Sequence, residues 1–569
     1  MSEERPGTDR GGRKHDRRSP GGHHGPQSWV GDWSGRRAAL TPDRVGLVDA
    51  TTGREFTYAE LDRRATRTAR WLDGFGVAAD GGDGSGGGGG DSVDPHAGGR
   101  VAVVSRNRPE VVDLFFATGK TGGVLAPLSH RLAPPELAAL LGTVDPELVV
   151  VEDPFADDLR AALDEDGVTS DIPVRSLAVD GEHTWRAVGD EVPDDDAPYD
   201  GPDVAPGDPH LFLHTGGSTG TPKETVVSHE AVVWNSLNTI TAWGLRPDDV
   251  TPLTFPMFHT GGWNVVTVPL FHMGGEVVVA REFDPGQVLS VVDDRGATVL
   301  VAVPAVLRMM TEHDAWEGTD LSTLRFAKSG GGPCREAVMD AWWDRGVDLS
   351  QGYGLTECGP NNFAMPDSFP REKTDSIGMP CLYVDARVVD DDGTELLPGE
   401  VGELELASPH AGDRYWHNEA ETETTFGSRG GDGGKSDSDS DSDDEHPWVS
   451  TGDLARVDED GYFYVEGRKK NMFVSGGENV YPPEVEDVIT DHPKVTEAIV
   501  VPVSDEGWGE VGKAVVEGNE SLTLDGLQEF MDGRIARFKI PRRLAFIDEM
   551  PTSGPSKIDR QAVEQEFGG

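Results

Sequence analysis

A chain of 569 residues is too long for one ordinary hydrophobic core, so its length predicts at least two domains. Its 50 Lys and Arg against 102 Asp and Glu give a formal net charge of -52, which argues against nucleic acid or an anionic membrane surface as a partner. Because 36% of the residues are hydrophobic, with 13 Trp and 20 Phe, we expect folded cores rather than an acidic disordered chain.

The charge pattern, the cysteines and the amino terminus together indicate a cytoplasmic protein. The acid excess runs through ordinary amphipathic segments such as residues 145–151, and we interpret it as adaptation to the high-salt cytoplasm of a halophile. Residues 1–26 are polar, and no apolar run reaches membrane-spanning length, so we expect a disordered tail and no integral membrane contact. Three cysteines have neither metal-ligand nor redox spacing and are expected to be reduced: Cys334, Cys358 and Cys381.

Strand and helix patterns alternate through the first part of the chain. Residues 100–104 predict a strand, and residues 111–118 a helix after it. Residues 275–279 predict another strand, which is followed by a helix at 285–294 and a strand at 298–303. Alternation of this kind predicts parallel sheets flanked by helices.

Later segments predict a different architecture. Short strands at 387–389, 402–406 and 461–465 indicate a smaller β unit. Beyond Gly467 an α+β module is expected, with helices at 480–489 and 524–537 and strands at 498–503 and 543–547. Two low-complexity stretches, about 79–98 and 427–446, cannot bury apolar area and predict solvated insertions.

The segment TGGSTGTPK at residues 215–223 has the composition of a phosphate-binding loop. Its glycines allow tight turns that bring backbone N–H groups close to an anion, while its hydroxyls and Lys223 add donors and positive charge. It differs from the Walker pattern, because Pro222 precedes the lysine and Glu224 follows it. We expect a strand at 226–227 to leave this loop before Ser228 caps a helix.

Four further segments carry weaker signals. Residues 329–333 (SGGGP) can place bare backbone against a flat ligand, and residues 351–357 (QGYGLTE) offer an aromatic face, a hydroxyl and a carboxylate suited to Mg²⁺. Residues 450–453 (STGD) end in a carboxylate that can accept hydrogen bonds from ribose, and residues 467–470 (GRKK) add a cationic donor. Taken singly, each is more often an ordinary turn or a solvated face.

In this order and spacing, the five segments resemble those of the adenylate-forming enzyme superfamily, which includes acyl-CoA synthetases, luciferases and the adenylation domains of peptide synthetases. The resemblance runs from about Trp33 to Arg560, and residues 258–275 and 467–486 are most similar to carboxylate–CoA ligases of the fatty-acyl or aryl-acid type. It implies two half-reactions. ATP and Mg²⁺ first convert a carboxylic acid into an acyl-adenylate and pyrophosphate, and coenzyme A then yields a thioester and AMP.

The same resemblance implies an α/β + β fold with a mobile part. A large N-terminal domain of two α/β subdomains and a small β-barrel is expected at residues 27–467. A hinge is expected at residues 468–470, followed by a small α+β C-terminal lid at residues 471–569. On the family pattern the lid swings about Lys470 between the two half-reactions.

The resemblance assigns binding roles to matching positions of this sequence. The β- and γ-phosphates are assigned to Thr215, Gly217, Ser218, Thr219, Gly220 and Lys223. The adenine is assigned to Gly331, Gly332, Pro333, Tyr353 and Gly354, and the ribose to Asp453 and Arg468. The lid is expected to bring Gly477 and Glu478 beside the coenzyme A tunnel.

The resemblance also assigns the residues closest to the chemistry. Thr356 is expected at the α-phosphate, and Glu357, with Thr219, at the Mg²⁺ ion. His259 is expected to border the acyl carboxylate and to gate entry of coenzyme A, with a packed or hydrogen-bonded histidine at a helix start as the less favoured alternative. Lys557 is expected to reach the substrate carboxylate during adenylation.

Two positions depart from the family pattern. The family usually has glycine where Glu224 stands, and Glu224 is expected to add negative charge beside the phosphate loop. It also usually has glycine just before the C-terminal lysine, where this chain has Ser556, with Gly554 two positions earlier. Loss of that glycine restricts how far the loop can bend, which would reduce adenylation without abolishing it.

The sequence favours a carboxylic acid–CoA ligase acting on a medium- or long-chain fatty acid. The alternatives are an aryl acid of the benzoate, cinnamate or succinylbenzoate type, an acyl-AMP ligase that loads a carrier protein, and a nucleotide-binding regulator without catalysis. No carboxylate stands at residues 258–260 to bind an ammonium group, which argues against an amino-acid substrate. The acyl pocket is expected to include Gly261, Gly262, Trp263, Asn264, Gly359, Asn361 and Asn362, whereas the oligomeric state, monomer or homodimer, stays open.

Overall fold

The structure is a computed structural model that describes residues 30–79, 98–165, 167–169, 171–177, 185–215, 223–427, 446–475, 478–505, 508–519, 521–552 and 558–568. The predicted tail at residues 1–26 lies outside these residues, as do residues 80–97 and 428–445 of the two predicted insertions. Over the described part of the chain, no helix combines the length and the apolar character needed to span a bilayer.

The strands follow one another along the chain as β1 (Val45–Asp49), β2 (Arg54–Thr57), β3 (Arg100–Val104), β4 (Val124–Leu128), β5 (Leu148–Glu152), β6 (Val174–Leu177), β7 (Pro209–Thr215), β8 (Lys223–Ser228), β9 (Val250–Leu253), β10 (Glu276–Val279), β11 (Val299–Ala302), β12 (Phe326–Ser329), β13 (Leu349–Gln351), β14 (Phe363–Ala364), β15 (Met379–Pro380), β16 (Asp385–Val389), β17 (Gly402–Ala407), β18 (Arg414–Tyr415), β19 (Val449–Val457), β20 (Phe463–Arg468), β21 (Phe473–Ser475), β22 (Glu478–Val480), β23 (Val495–Asp505), β24 (Gly509–Gly518) and β25 (Arg543–Ile547).

The α-helices are α1 (Trp33–Leu40), α2 (Tyr58–Asp73), α3 (Pro109–Thr121), α4 (Pro134–Val144), α5 (Ala156–Leu163), α6 (Val188–Glu191), α7 (His229–Trp243), α8 (Thr267–Met273), α9 (Pro285–Arg295), α10 (Pro304–Thr311), α11 (Glu336–Asp344), α12 (Glu419–Phe426), α13 (Pro482–Thr490), α14 (Leu524–Met531) and α15 (Arg560–Phe567).

The N-terminal part contains two α/β units. A seven-stranded sheet has the order β18-β8-β7-β4-β3-β5-β6, with β8 and β18 antiparallel to their neighbours and the other strands parallel. A second unit combines the sheet β2-β1-β10-β9 with the parallel sheet β11-β12-β13. The predicted alternation of parallel strands and helices is therefore confirmed for both units. One large core lies between them and includes the buried rings of Phe115, Trp263 and Phe271.

The smaller β unit is an antiparallel sheet of order β16-β17-β19-β20, accompanied by the ribbon β14-β15. Its last strand ends at Arg468, and a 3₁₀ turn, Lys469–Asn471, leads into the C-terminal module. In that turn the ammonium of Lys469 lies 2.9 Å from Asp391 and 3.0 Å from Glu403. The predicted hinge at 468–470 thus coincides with the junction between two separate sheets.

The C-terminal module packs α13, α14 and α15 on a sheet of order β22-β21-β24-β23, with β25 parallel to β24. The predicted strand at 543–547 is confirmed. The predicted helix at 524–537 is wrong beyond Met531, because Asp532 is extended and Gly533 adopts a positive φ of 82°, which ends the helix.

Candidate active site

The predicted phosphate loop connects two antiparallel strands. Thr215 ends β7 and Lys223 begins β8, and the two residues are direct cross-strand partners. Beyond β8 the Ser228 side chain accepts a hydrogen bond from Ala231 N and caps α7, as the sequence predicted. The described chain therefore fixes both ends of the loop, whereas Gly217, Ser218, Thr219 and Gly220 lie outside the described residues.

Lys223 points into a cluster of polar side chains. Its ammonium lies 2.7 Å from a carboxylate oxygen of Glu421 on α12 and 4.8 Å from the centre of the Tyr415 ring. Tyr415 belongs to β18, which pairs with β8 so that Tyr415 lies opposite Thr225. The pairing of these two strands therefore carries an aromatic ring and an acid to the lysine of the loop.

Glu357 joins the same cluster from a different part of the chain. It lies in a 3₁₀ turn, Thr356–Cys358, and one of its carboxylate oxygens accepts a hydrogen bond of 2.7 Å from the Tyr415 hydroxyl. Burial, with Glu357 as the next contributor, holds the pKa of Tyr415 well above its usual range, so Tyr415 donates as a neutral phenol. Lys223, Tyr415 and Glu357 thus form one chain of contacts.

Among the described residues, no group of three or more His, Cys, Asp or Glu side chains is arranged to hold a metal ion. A single carboxylate still fits Mg²⁺, because this ion usually keeps several waters and takes its other ligands from substrate phosphates. Glu357 has a second oxygen besides the one engaged by Tyr415. The residues present therefore fit a Mg²⁺ ion held by Glu357 and the nucleotide, with the second predicted contact, Thr219, outside the described residues.

The glycine segment and the Tyr353 segment lie side by side because β12 and β13 are parallel neighbours. Ser329 at the end of β12 is the partner of Gln351 at the end of β13, and Gly352 N donates to Ser329 O at 2.8 Å. Both segments therefore leave the carboxyl edge of one sheet, the usual place for a ligand in an α/β fold. Beyond β12, three residues that carry no long side chain are exposed to solvent: Gly331, Gly332 and Pro333.

Gly354 is required by a close approach of two backbones. A Cβ atom on this residue would lie 2.0 Å from the carbonyl oxygen of Pro360. The turn from Tyr353 to Asn362 closes through a hydrogen bond of 3.0 Å between Asn362 N and Tyr353 O. Gly354 therefore shapes the loop that carries Thr356 and Glu357.

Tyr353, Asp453 and Arg468 form a second polar cluster. The Tyr353 hydroxyl donates to Asp453 at 2.5 Å, and the guanidinium of Arg468 lies 2.9 Å from the other oxygen of Asp453. Asp453 and Arg468 are cross-strand partners in β19 and β20. Burial, followed by the charge of Asp453, raises the pKa of Tyr353 well above its usual range. The three residues assigned to the nucleoside are therefore in direct contact, and their roles toward it stay predictions.

His259 lies near the carboxyl end of β7. It is exposed, and its ring centre is 5.9 Å from that of His214, the residue before Thr215. Its segment is clamped by Asn107, whose amide donates to Phe255 O at 2.9 Å and accepts from Met257 N at 2.7 Å. The structure thus places His259 near the strand end from which the predicted phosphate loop leaves, just after a segment that Asn107 holds by two hydrogen bonds.

The segment after His259 is a short π-helix, Gly261–Val265, a rare conformation that often marks functional sites. Trp263 is fully buried, donates to Met257 O at 2.6 Å and stacks on Phe115, so it packs in the core and does not line an open pocket. Cβ atoms on Gly261 and Gly262 would meet Phe255 and the carbonyl of Pro256. These glycines therefore permit close packing of this segment against Phe255 and Pro256.

Buried amides hold the π-helix against α7 and the loop after Glu357. Asn361 donates to Thr239 Oγ1 at 2.6 Å and to the carbonyl oxygens of Asn264 and Val265 at 3.2 and 3.0 Å. Asn235 on α7 donates to Asn264 O at 2.5 Å. Asn361 and Asn264 therefore act first as a scaffold for the segment that follows His259.

The prediction that Glu224 adds negative charge beside the phosphate loop is wrong. The Glu224 side chain is 0% exposed, and burial raises its pKa to about 8, so the carboxyl is neutral at pH 7. Cys358 is also buried, and burial holds the pKa of its thiol well above its usual range.

Three predicted residues of the C-terminal part have no described side chain: Gly477, Glu478 and Lys557. Lys557 and Gly477 lie outside the described residues, as do Gly554 and Ser556. Glu478 is described only through its backbone, as the first residue of β22. Their assigned roles stay predictions.

Two residues of the phosphate cluster were missed by sequence reasoning, Tyr415 and Glu421. Both lie about 190 positions beyond Lys223 and reach it only because β18 pairs with β8. The signal available was a short aromatic pair, Tyr415-Trp416, just before an acidic helix, which is common in sequences without a site.

Comparison with known proteins identifies this arrangement. The model of the AMP-binding enzyme family matches residues 94–416, and that of the AMP-binding enzyme C-terminal domain matches residues 484–557. ATP-bound MatB from Rhodopseudomonas palustris has a similar structure, with a TM-score of 0.80, 27% sequence identity and coverage of 95% of this chain and 99% of that one.

Curated relatives cover almost the whole chain. A feruloyl-CoA synthase of Amycolatopsis sp is 33% identical over 541 residues, which is 95% of this chain and 99% of the relative. An indoleacetate–CoA ligase of Aromatoleum aromaticum is 33% identical over 542 residues, which is 94% and 98%. The long-chain-fatty-acid–CoA ligase FadD13 of Mycobacterium tuberculosis is 30% identical over 540 residues, which is 94% and 97%.

The fold and the site define an adenylate-forming enzyme with an N-terminal nucleotide-binding part and a C-terminal module. The chain belongs to the AMP-binding enzyme family. It is an AMP-forming acid–thiol ligase that uses ATP, Mg²⁺ and coenzyme A to activate a small carboxylic acid.

Proposed function

We propose that this ligase acts on an aromatic carboxylic acid that carries a hydrogen-bond donor. The observation that carries the proposal is the Oδ1 atom of Asn235, which has no hydrogen-bond partner among the described residues, although the side chain is only 2% exposed. The Nδ2 atom is the one that donates to Asn264 O, so the atom left over is an acceptor. A buried acceptor without a donor is costly, and a substrate hydroxyl or N–H group would satisfy it.

The position of this oxygen supports the proposal. A Cβ atom on Gly359, two residues beyond Glu357, would lie 3.3 Å from Asn235 Oδ1. The same Cβ would lie 2.6 Å from His410, whose Nδ1 atom also has no partner among the described residues. The curated relatives that are 33% identical bear the names feruloyl-CoA synthase and indoleacetate–CoA ligase, which fits an aromatic acid.

A medium- or long-chain fatty acid is the second candidate. It is the substrate class that the sequence favours, and the relative FadD13, 30% identical, is named a long-chain-fatty-acid–CoA ligase. A fatty acid offers no donor to Asn235, so the two candidates differ in what they require of that side chain.

In the proposed mechanism, the nucleotide is held at both ends by groups that do not react. Lys223 exchanges its contact with Glu421 for the β- and γ-phosphates, while Asp453 accepts from the ribose hydroxyls beside Tyr353. Glu357 would hold a Mg²⁺ ion, which would supply charge stabilisation at the phosphates. Fixed cations and N–H donors then stabilise the charge that develops at the α-phosphorus.

Each half-reaction breaks one bond and forms one. A carboxylate oxygen of the acid attacks the α-phosphorus, and the α–β phosphoanhydride bond breaks to release pyrophosphate. The thiol sulfur of coenzyme A then attacks the acyl carbon, losing its proton, and AMP leaves with the bridging oxygen. His259 is assigned to the acyl carboxylate in this mechanism, and its exposed ring, 5.9 Å from that of His214, supports the assignment.

The test compares matched acids in the complete reaction with ATP, Mg²⁺ and coenzyme A. 4-Hydroxycinnamate and cinnamate differ by one hydroxyl, and we expect kcat/KM to favour the hydroxylated acid by about tenfold or more. Octanoate and palmitate test the fatty-acid candidate, which a higher kcat/KM for either would support over the aromatic one. Thioester formation that requires a carrier protein instead of coenzyme A would contradict both.

Substitution of the proposed acceptor makes the test specific. Asn235→Ala is expected to reduce the preference for 4-hydroxycinnamate to near unity. Asn238→Ala is the matched control, since it removes a buried amide one turn along α7 that bonds to Asn361 O at 2.7 Å. If Asn235→Ala keeps the wild-type ratio of kcat/KM for 4-hydroxycinnamate over cinnamate, the assignment of Asn235 as the acceptor is contradicted.

A further inference from the structure

Glu224 occupies an unusual position for an acid. It follows Lys223 directly, yet its side chain is 0% exposed, and neither carboxylate oxygen has a hydrogen-bond partner among the described residues. Its backbone is fixed in β8, where its carbonyl oxygen accepts from Trp416 N at 2.8 Å. Burying a carboxyl without a partner costs stability, and an apolar or absent side chain would avoid that cost.

The surroundings of Glu224 contain few groups that could share its proton. Successive side chains of a strand point to opposite faces, so Glu224 lies on the face of β8 opposite to Lys223. The titratable and charged side chains of the elements packed on its own face are His214 on β7, Arg414 on β18 and Glu136 on α4.

None of these groups shifts the pKa of Glu224, which burial alone raises from 4.5 to about 8. His214 is its direct cross-strand partner, so their Cβ atoms lie about 5 Å apart, although they form no hydrogen bond. Burial, then the neighbouring His259, lowers the pKa of His214 to about 3. Both members of the pair are therefore neutral near pH 7.

The other face of the same strands carries the proposed phosphate cluster. Lys223, Tyr415 and Glu357 lie there in one chain of contacts. A bound triphosphate brings several negative charges to that cluster, with one β-strand between them and Glu224. Because little water lies between the two faces of the strand, an ionised Glu224 carboxylate and the negatively charged triphosphate would repel each other strongly.

We propose that Glu224 is a positioning residue of the nucleotide site, which holds the triphosphate tightly only while the Glu224 carboxyl is uncharged. The proposal rests on the proposed nucleotide site at Lys223 and Glu357. Since coupling between two binding events is reciprocal, ATP favours the protonated carboxyl as much as the protonated carboxyl favours ATP. The glycine usual in the family lacks this control, so the site of this chain is sensitive to alkaline pH.

The first test measures binding of a nonhydrolysable ATP analogue with Mg²⁺ between pH 7 and pH 9. If only the protein with a protonated Glu224 carboxyl, of pKa near 8, binds the analogue tightly, the Kd of the wild type is expected to rise by up to about tenfold over this range. Glu224→Gln keeps the size of the side chain and cannot ionise, so its Kd is expected to be independent of pH. Glu136→Gln, which removes an exposed acid from α4, is the matched control and follows the wild type.

Equal slopes of log Kd against pH in the wild type and in Glu224→Gln would overturn the proposal while leaving the nucleotide site intact. Failure of the wild type to bind the analogue at any pH would overturn the nucleotide site and this proposal with it. Calorimetry at pH 8.5 in two buffers of different ionisation enthalpy adds an independent readout. The wild type is expected to take up a fraction of a proton on binding, and Glu224→Gln none.

Thermal unfolding tests the buried state without any ligand. Glu224 has a pKa raised from 4.5 to about 8 in the folded protein, so between these values the folded chain holds more protons than the unfolded chain. Stability therefore falls as the pH rises through this window. The midpoint temperature of unfolding of Glu224→Gln, measured relative to that of the wild type, is expected to rise from pH 5 to pH 8. A constant difference would mean that Glu224 is already ionised when folded, which would overturn the proposal.

Discussion

Lys557→Ala is expected to suppress acyl-adenylate formation by roughly 100-fold to 1,000-fold while leaving thioester formation from supplied acyl-AMP close to the wild-type rate. The reason is the division of labour implied by the family, in which this lysine meets the substrate carboxylate only during adenylation. The two half-reactions are measured separately, as pyrophosphate release from ATP and acid and as thioester yield from acyl-AMP and coenzyme A.

The control for this variant is Lys494→Ala, which removes an exposed lysine from the same module. Both of its half-reactions are expected to stay near the wild-type rate. Equal losses in the two half-reactions of Lys557→Ala would contradict the assigned role and would indicate general damage to the module. The serine before Lys557 makes this measurement informative, since the family usually has glycine there.

Glu357→Gln is expected to lower the rate of adenylation by roughly 100-fold and to raise the Mg²⁺ concentration needed for half-maximal activity. Glutamine keeps an oxygen that can accept from the Tyr415 hydroxyl, so the contact with β18 is preserved and only the charge at the metal is lost. Initial rates of pyrophosphate release across a Mg²⁺ titration provide the measurement.

Tyr415→Phe separates the charge of Glu357 from its orientation. It removes the hydrogen bond of 2.7 Å but keeps the carboxylate and the ring beneath Lys223. We expect a smaller loss, about tenfold, with the Mg²⁺ dependence little changed. A Mg²⁺ titration of Glu357→Gln that overlays the wild type would show that the ion is held elsewhere.

The sequence predicted the local features of the site well because local chemistry determines them. The loop at residues 215–223 lies between two strands, and Ser228 caps the next helix, as its composition and spacing indicated. Asp453 and Arg468 meet because a short β hairpin sets their register. Features of this kind depend on turns, caps and alternation, which are encoded within a few residues.

Features that depend on distant strand pairing were not predictable from one sequence. The contact of Tyr415 and Glu421 with Lys223 needs the register of β18 on β8, which no local pattern specifies. The neutral state of Glu224 has the same origin, since its burial follows from packing on α4 and not from its neighbours in sequence. The end of α14 at Met531 was missed because an isolated glycine is a weak stop signal.

The acyl pocket shows how composition can mislead. Gly261, Gly262 and Trp263 were all assigned to the acyl pocket, yet the two glycines are close-packed in the π-helix and Trp263 belongs to the core. The π-helix is instead held by contacts that involve polar side chains of α7, more than 20 residues earlier in the chain. Tertiary packing, rather than residue size, therefore decides which side chains meet a substrate.

The most direct test of the whole account is a crystal structure with a nonhydrolysable ATP analogue and Mg²⁺. We predict its triphosphate at Lys223, the metal at Glu357, the adenine beside Tyr353 and the ribose hydroxyls on Asp453, with the contact between Lys223 and Glu421 broken. An analogue bound at a site that touches none of Lys223, Glu357, Tyr353 and Asp453 would contradict the claim that one nucleotide, held between distant parts of the chain, activates the acid.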